Sequence, residues 1–476
     1  MNRMTENGRK QLEALVHEVM KDGQARGIAV GIVDSEGKIQ YEQYFGYRDE
    51  EKKLPINRDT IFGMASVTKS FTALSIMQMQ MDGLLSVDDP VSKYVPEFTN
   101  KNQSAPVKLW HLMCHSGGFF PLPRIVIDKT AQEMHIEDSL ENELIYRDDF
   151  AEEGVRRVAE RLDAQTQFTG RPGQRLSYCN DGFGLLSDIV RRHGGYGSFA
   201  EYLDQKILKP LGMTRSNISF IRNTLDENAA TLYSLEKDGW RADRDYQNDA
   251  FVLHGGGGMK STLGDMLKYA TMYLNEGAAA DGTRIIDRYS IQEMVKPRQF
   301  MKPGVYYGYG LECKQVEDCT IVEHGGSLPG VSSNFSFCPQ ENVGVVVLCN
   351  TMDVSVAAIA DAAMRVYFGL DAEEPRPEHA ERSWTEEEVA ELAGEYVSGE
   401  GDAFSLKAEN GSLSMTMNGK PTELQSVYAW HREWELPALW RLIRSLSSAM
   451  SRSLHWTFPF RRRWSICSRI CRKSLA

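Results

Sequence analysis

Residues 62–83 contain the pattern from which the fold can be predicted most directly. Their sequence is FGMASVTKSFTALSIMQMQMDG. From Ser66 to Met81 the residues are apolar or small on most faces, and Gly83 is of the type that commonly follows the last turn of a helix. A helix without a polar face belongs in a protein interior. The sequence therefore predicts a central, buried helix over residues 66–81.

Ser66 and Lys69 lie at the start of this predicted helix in the pattern Ser-x-x-Lys. Residues three apart on a helix share one face, with Cβ atoms roughly 5–6 Å apart, so the Lys69 amine can reach the Ser66 hydroxyl. Burial favours the neutral amine that a base needs, and the helix N-terminus directs backbone N–H groups at an oxyanion. The pattern predicts a nucleophile and its base; the alternative is a capping serine beside a solvated lysine.

Composition restricts the class of protein. The chain has 476 residues, of which 42% are apolar and 25% charged, with a net charge of −12. This length predicts two or three domains, and the negative charge argues against a nucleic-acid partner. The eight cysteines form no Cys-x-x-Cys pair and predict reduced thiols. Residues 1–10 lack the apolar core of a secretory signal, and no apolar run approaches the roughly 18 residues that span a bilayer, so we expect a cytoplasmic protein without a membrane span.

Strand patterns occur at both ends of the first 370 residues. Short β-type runs lie at 28–33, 38–45, 320–323, 332–338 and 344–349. Helical patterns fill residues 84–300, for example 263–274, and a further helix is predicted over 354–368. We predict an α+β domain over residues 1–370, in which the early hairpin and the late strands share one antiparallel sheet flanked by helices, with the helical middle inserted as a subdomain.

Three segments follow this domain. Residues 371–388 are acidic and contain two prolines, which is typical of a linker. Residues 389–430 alternate short β runs with Asn-Gly turns and predict a partial antiparallel β unit. Residues 431–476 are rich in Arg, Ser and Trp; a membrane-surface helix and a non-native, frameshifted end are the alternatives for this basic tail.

Two further motifs could carry chemistry. Tyr178 and Asn180 precede a predicted helix; a phenol near a lysine can move a proton, and an amide can bind a substrate carbonyl or Lys69. The segment His324-Gly325-Gly326-Ser327 ends a β run, where the glycines let a substrate approach and the Ser327 N–H is a candidate oxyanion donor. Taken singly, each motif has an alternative. For Tyr178 and Asn180 it is a core tyrosine with a capping asparagine. For residues 324–327 it is a strand-end turn with a surface histidine.

The three motifs together, in this order and near these spacings, resemble those of the serine β-lactamase and penicillin-binding-protein superfamily. Within it the chain is most similar to the class C β-lactamase-like serine hydrolases, a group that includes esterases, D-amino-acid peptidases and β-lactamases. The resemblance covers about residues 10–370. It extends to landmarks at 59–62, 83–90, 115–118, 209–213 and 344–350.

The resemblance implies a β-lactamase/transpeptidase-like fold and a role for each motif. Ser66 would be the acylated nucleophile, Lys69 and Tyr178 the proton-shuttling pair, and Asn180 a ligand of the substrate and of Lys69. Residues 324–327 would form the third motif, with the N–H groups of Ser66 and Ser327 as the oxyanion hole. Some relatives carry a lipocalin-like accessory domain, of which residues 389–430 would be a truncated form. No metal or cofactor is expected.

One departure from the family pattern concerns the substrate. Many penicillin-recognising members have Lys-Thr-Gly at the third motif, whereas this chain has His324, Gly325 and Gly326, which weakens binding of a β-lactam carboxylate. We therefore expect hydrolysis of an ester or amide bond in a small-molecule or short peptide-like substrate. A class C-type β-lactamase and a non-turning-over acyl- or ligand-binding protein are the alternatives, and a homo-oligomer is left open.

Other histidines are weaker signals. The spacing of His111 and His115 resembles a metal site, but no third ligand is evident, so a packing role is preferred. His254 begins a run of four glycines and is a modest candidate for lining the site.

Overall fold

The computed structural model describes most of the first 373 residues and parts of the following segment. The described residues are 4–122, 127–236, 239–246, 254–302, 304–316, 318–373, 390, 393–397, 403–409, 412–417 and 420–424. The chain divides into two compact units, Met1–Glu373 and Glu374–Ala476. The predicted linker 371–388 begins at this division, but its residues from 374 onward, and the whole basic tail 431–476, lie outside the described residues.

The secondary structure alternates between a strand-rich start and end and a helical middle. The described helices are α1 (Glu6–Asp22), α2 (Thr68–Met81), α3 (Leu109–Met113), α4 (Ile127–Glu133), α5 (Asp148–Asp163), α6 (Asn180–His193), α7 (Phe199–Leu203), α8 (Arg222–Leu225), α9 (Leu263–Leu274), α10 (Arg288–Met294) and α11 (Val356–Tyr367). The described strands of the first unit are β1 (Gly27–Val33), β2 (Ile39–Asp49), β3 (Leu54–Pro55), β4 (Phe62–Gly63), β5 (Leu232–Glu236), β6 (Gly239–Asp243), β7 (Lys260–Ser261), β8 (Gln299–Lys302), β9 (Val305–Tyr307), β10 (Glu312–Val316), β11 (Cys319–Leu328), β12 (Val331–Cys338) and β13 (Val343–Cys349).

One nine-stranded antiparallel sheet joins the two ends of the first unit. Its strand order is β3-β2-β1-β13-β12-β11-β10-β9-β8, so β1 from the N-terminal hairpin pairs directly with β13. The register matches Ile28 with Cys349 and Val33 with Gly344. The prediction of an α+β fold with one sheet shared by the early hairpin and the late strands is confirmed.

Helices cover both faces of this sheet because its central strands are apolar on both sides. In β1, Ile28, Val30 and Ile32 pack with α1 and α11, whereas Ala29 and Val33 face the opposite side. On that opposite side α9 approaches so closely that a Cβ at Gly31 would lie 2.9 Å from the Leu267 side chain. Full burial of each such aliphatic side chain contributes about 1.5–3 kcal/mol to stability.

Helix α2 is the central helix that the sequence predicts. Twelve of its fourteen residues are buried. Its buried hydroxyl groups are all satisfied locally or by neighbours: Ser75 donates to the Phe71 carbonyl at 2.9 Å, and Thr72 donates to the Gly255 carbonyl at 2.7 Å. The helix begins two residues later than predicted, because Ala65–Val67 form a short 3-10 turn. Ser66 therefore lies in the turn that leads into α2.

The second unit contains a small antiparallel sheet. Its described strands are β14 (Gly394–Val397), β15 (Ala403–Glu409), β16 (Ser412–Met417) and β17 (Lys420–Leu424), which pair in sequence order. This agrees with the prediction of β structure in residues 389–430. The lipocalin-like assignment of this segment stays a prediction.

Candidate active site

The turn that carries Ser66 is held in an unusual backbone conformation. Ala65 has a φ of +46°, a left-handed value that costs an alanine energy and persists only where neighbours enforce it. The neighbours are identifiable: the Met64 N–H donates to the Met259 carbonyl at 2.9 Å, and the Ser333 hydroxyl donates to the Met64 carbonyl at 2.8 Å. The conformation leaves Ser66 partly accessible between buried residues.

Lys69 is fully buried and directed at Ser66. Its Nζ lies 3.0 Å from Oγ of Ser66 and 2.6 Å from the carbonyl oxygen of Gly256. Burial holds the pKa of Lys69 well below its usual value, although the nearby Cys179 and Asp181 act in the opposite direction. A neutral amine has two N–H groups and one lone pair. One N–H can therefore donate to Gly256 while the lone pair accepts the Ser66 proton.

Tyr178 lies beside Lys69 and is positioned by a loop that begins at His115. The Lys69 Nζ is 4.8 Å from the centre of the Tyr178 ring, and that ring packs on His115 with 3.9 Å between centroids. The segment around Tyr178 is tied to the same histidine: the Cys179 N–H donates to Nδ1 of His115 at 3.0 Å, and the Ser177 N–H donates to its carbonyl at 2.7 Å. His115 thus has the packing role that the sequence favoured.

Asn180 is the first residue of α6, with Cys179 as the N-cap residue. Its Oδ1 atom is buried and has no hydrogen-bond partner within the described part of the chain. The predicted hydrogen bond from Lys69 to this oxygen is thus not formed, because Lys69 donates to Gly256 instead. The buried oxygen remains able to accept a hydrogen bond from a ligand N–H.

The third motif lies within β11 rather than at its end. Pairing of β11 with β10 runs from Cys319 to Glu323 and stops, so in the described sheet residues 324–328 pair only with β12. A Cβ at Gly326 would lie 2.3 Å from the Met64 carbonyl and 2.4 Å from Oγ of Ser333. Only glycine therefore lets this open strand edge lie against the turn that carries Ser66. His324 is buried, whereas residues 325–327 are partly exposed.

The glycine-rich loop 254–258 supplies a contact that the sequence analysis missed. Gly256 provides the carbonyl that binds Lys69, and a Cβ at Gly255 would lie 2.4 Å from the Phe183 carbonyl. His254 is completely buried, with Nδ1 3.3 Å from the Ile218 carbonyl and its ring at the edge of Phe220. It therefore supports the loop instead of lining the site. The run of glycines was the available signal for close backbone approach.

A cleft lies beside the nucleophile turn. Its lining includes small or apolar residues from that turn and from the end of β11, with charged residues on β6 and β7. The lining residues are Gly63, Ala65, Leu232, Ser234, Arg241, Asp243, Asp245, Tyr246, Gly257, Met259, Lys260, Leu328, Pro329 and Val331. Lys260 is buried with its Nζ 2.7 Å from the Ser219 carbonyl, and burial lowers its pKa to about 7.

The described residues contain neither a cluster of metal ligands nor a membrane-spanning helix. Within the described residues no group of three or more His, Cys, Asp or Glu side chains is arranged to hold a metal ion. Nδ1 of His111 accepts from the Lys108 N–H at 2.9 Å, which is a helix-start contact. None of the helices in the described part of the chain combines the length and the apolar character needed to cross a membrane.

Comparison with known proteins agrees with this geometry. The Beta-lactamase family model matches residues 12–367. The chain is 24% identical over 441 residues to a penicillin-binding protein of Bacillus subtilis, covering 88% of this chain and 89% of that one. It is 25% identical over 379 residues to a D-aminopeptidase of Gluconobacter oxydans, covering 79% and 66%.

A solved structure shows the same architecture. The octameric penicillin-binding protein homologue from Pyrococcus abyssi superposes with a TM-score of 0.66 at 27% identity, covering 88% of this chain and 90% of that one. The fold and the family match place this protein among the β-lactamase-fold serine hydrolases. The chain belongs to the Beta-lactamase family.

Proposed function

We propose that this protein hydrolyses an ester or amide bond through an acyl-enzyme formed on Ser66. The observation that carries the proposal is the 3.0 Å contact between Oγ of Ser66 and a completely buried Lys69 amine. Burial favours the neutral form of that amine, so it can take the hydroxyl proton as Ser66 attacks the substrate carbonyl.

The remaining groups have defined tasks in this mechanism. Tyr178, whose ring lies beside the Lys69 amine, passes the proton to the leaving group, and water then cleaves the acyl-enzyme by the reverse transfer. The N–H groups of Ser66 and Ser327 stabilise the oxyanion. The buried Oδ1 of Asn180 accepts an N–H of the bound substrate, which gives that otherwise unpartnered atom a partner.

The substrate class is a small-molecule or short peptide-like ester or amide. His324 occupies the position at which many penicillin-recognising members have a lysine, and its buried ring contributes no ammonium group to the strand edge. The similarity to a D-aminopeptidase favours an amide of this kind. A β-lactamase activity is the second candidate because the family model bears that name, and turnover of nitrocefin distinguishes it.

A protein that acylates without turnover remains the third candidate, because the same residues trap an intermediate if water cannot attack it. A burst of product equal to the protein concentration, with no steady state, would identify it. The octameric state of the Pyrococcus abyssi homologue also suggests that this chain forms a homo-oligomer, which analytical ultracentrifugation measures directly.

The decisive experiment is an intact-protein mass spectrum before and after treatment with a fluorophosphonate probe. We expect a mass gain of one probe in the native protein and none in Ser66→Ala. A Ser70→Ala variant is the matched control, because Ser70 lies in the first turn of the helix that follows Ser66 but donates to the Val67 carbonyl and contacts Tyr269. Labelling that persists in Ser66→Ala, or is absent from the native protein, would refute the assignment.

A further inference from the structure

Tyr307 and His324 form a buried hydrogen-bonded pair behind the third motif. Tyr307 lies on β9 and His324 on β11, and both side chains are almost inaccessible to solvent. The Tyr307 hydroxyl is 2.8 Å from Nε2 of His324, and Nδ1 of His324 is 2.6 Å from the carbonyl oxygen of Gly325. Protein atoms therefore engage both ring nitrogens.

These partners determine which nitrogen carries the proton. A carbonyl oxygen only accepts hydrogen bonds, so Nδ1 of His324 must be the N–H that donates to Gly325. A neutral imidazole has a single N–H, and its Nε2 is then free to accept from the Tyr307 hydroxyl. Burial raises the pKa of Tyr307 well above its usual value, so the hydroxyl stays protonated and can donate to Nε2. A neutral, Nδ1-protonated His324 satisfies all these atoms at once.

The strand register shows what this histidine covers. The two-residue turn Pro329–Gly330 joins β11 to β12, so Leu328 and Val331 form the hydrogen-bonded pair that closes the hairpin. Because such pairs alternate along antiparallel strands, Gly325 and Ser327 direct their backbone groups away from β12, towards the edge that β10 leaves open. The Gly325 carbonyl on that edge is already bound by His324.

The cationic side chains of the cleft beside the nucleophile turn already have partners. The lining of this cleft contains Arg241 and Lys260, and burial lowers the pKa of Lys260 to about 7. Arg241 is paired with Asp243, and Lys260 donates to the carbonyl of Ser219. Asp245 adds a further carboxylate to the lining. A substrate carboxylate in this cleft would meet an arginine that is already paired with a carboxylate and a buried lysine that already donates to a carbonyl.

We infer that Tyr307 is a positioning residue that holds His324 neutral and turned towards Gly325, and thereby makes the site selective for acyl donors without a carboxylate. The inference rests on the proposed function and deepens it, because it assigns the charge of the substrate. Tyr307 acts through His324 and touches neither the nucleophile nor the scissile bond.

Kinetics with a matched pair of esters test the selectivity. para-Nitrophenyl hexanoate and para-nitrophenyl hydrogen adipate differ only in a terminal methyl or carboxylate, and background hydrolysis is measured with Ser66→Ala. The native protein is expected to prefer the hexanoate. In Tyr307→Phe, His324 is released and the ratio of kcat/KM for adipate over hexanoate rises about tenfold, mainly through a lower KM for adipate.

A neighbouring tyrosine provides the control. Tyr306 lies on the same strand but is exposed, so Tyr306→Phe is expected to leave the ratio unchanged. A general loss of structure would lower both rates and leave the ratio as it was. A native preference for adipate, or an unchanged ratio in a Tyr307→Phe protein that still labels with fluorophosphonate, overturns the inference while the proposed function stands. Absence of labelling in the native protein overturns the proposed function itself.

The tautomer can be measured without turnover. In protein labelled with ¹⁵N-histidine, long-range proton–nitrogen correlation spectra distinguish the two ring nitrogens, and His324→Asn assigns the signal. We expect His324 to be protonated at Nδ1 and unprotonated at Nε2 in the native protein. We also expect the Nε2 signal to shift in Tyr307→Phe and stay in place in Tyr306→Phe. A doubly protonated or Nε2-protonated ring in the native protein would overturn the inference whatever the catalytic activity.

Discussion

Two buried lysines, Lys69 and Lys314, show how the same side chain is put to different uses in one molecule. Lys69 is completely buried and its amine contacts a hydroxyl and a carbonyl, both uncharged. The side chain of Lys314 is 11% exposed and its amine bridges two carboxylates, Glu323 at 3.1 Å and Asp361. Both lysines lie within the same unit, yet only Lys314 is matched by negative charge in direct contact.

The difference shows that the partner, and not burial alone, decides what a buried lysine does. Without a counter-charge in contact, desolvation lowers the pKa of Lys69 and yields a neutral amine. The nearest carboxyl group that acts on it, Asp181, is itself desolvated, and burial raises its pKa to about 6. Lys314 instead offsets the charge of Glu323, which is only 2% exposed and would be costly to bury alone.

When each lysine is replaced by methionine, the two variants should differ most in activity. Lys69→Met removes the proposed base, and we expect the rate of acylation to fall by about 10²–10⁴-fold, which is the range of general base catalysis. The folded state should survive, because a buried amine is replaced by an apolar chain. Fluorophosphonate labelling followed by mass spectrometry gives the rate, and circular dichroism reports the fold.

Lys314→Met is the matched control for this measurement. It removes a largely buried ammonium from the same unit but leaves Ser66 and its contacts untouched, so its folded protein should label at close to the native rate. Equal rates for Lys69→Met and the native protein would show that Lys69 is not the base.

The second largest effect is expected in stability, where Lys314→Met should be more destabilising than Lys69→Met. Lys314→Met removes the ammonium that contacts the buried Glu323, a carboxylate to which the Asn334 amide donates at 3.3 Å, and we expect the free energy of unfolding to fall by about 3 kcal/mol. Lys69→Met should cost far less. Lys108→Met breaks an exposed pair with Asp88 and should cost at most about 1 kcal/mol. Urea denaturation measures all three, and a Lys314→Met protein as stable as Lys108→Met would contradict the argument.

Much of the fold that positions these lysines could be predicted from local patterns. The helix predicted over 263–274 is observed as Leu263–Leu274, and the strand predicted over 344–349 lies within β13. The long helical insertion was inferred because strand patterns occur only on either side of it. What the patterns could not give is the bounds of β8 to β10, short strands that pair with one another and of which only β10 pairs with β11.

The site was predicted in part, for a physical reason. The Ser66–Lys69 contact is local, so helix geometry alone anticipates it. The bond between Lys69 and Gly256 joins residues 187 positions apart, and no local pattern indicates which carbonyl a buried amine will meet. The position of His324 was predicted incorrectly for the same reason. The sequence placed it at a strand end, whereas β11 continues past it. The turn at which β11 ends is fixed by pairing with β12.

The smallest expected effect concerns the stability contribution of a third buried lysine, Lys260. Burial lowers the pKa of Lys260 from its ordinary value of 10.5 to about 7, so between these pH values the unfolded chain binds more protons than the folded one. The contribution of Lys260 to the free energy of unfolding should therefore rise with pH across this window and be flat below it. Lys260→Met removes that rise, so the variant should gain stability relative to the native protein by about 3 kcal/mol more at pH 6.5 than at pH 9.5. Urea denaturation of both proteins at the two pH values gives this difference, with Lys108→Met as the exposed control. An identical difference at both pH values would mean that Lys260, like Lys314, has its charge matched by neighbouring carboxylates, and that Lys69 is the exception in this molecule.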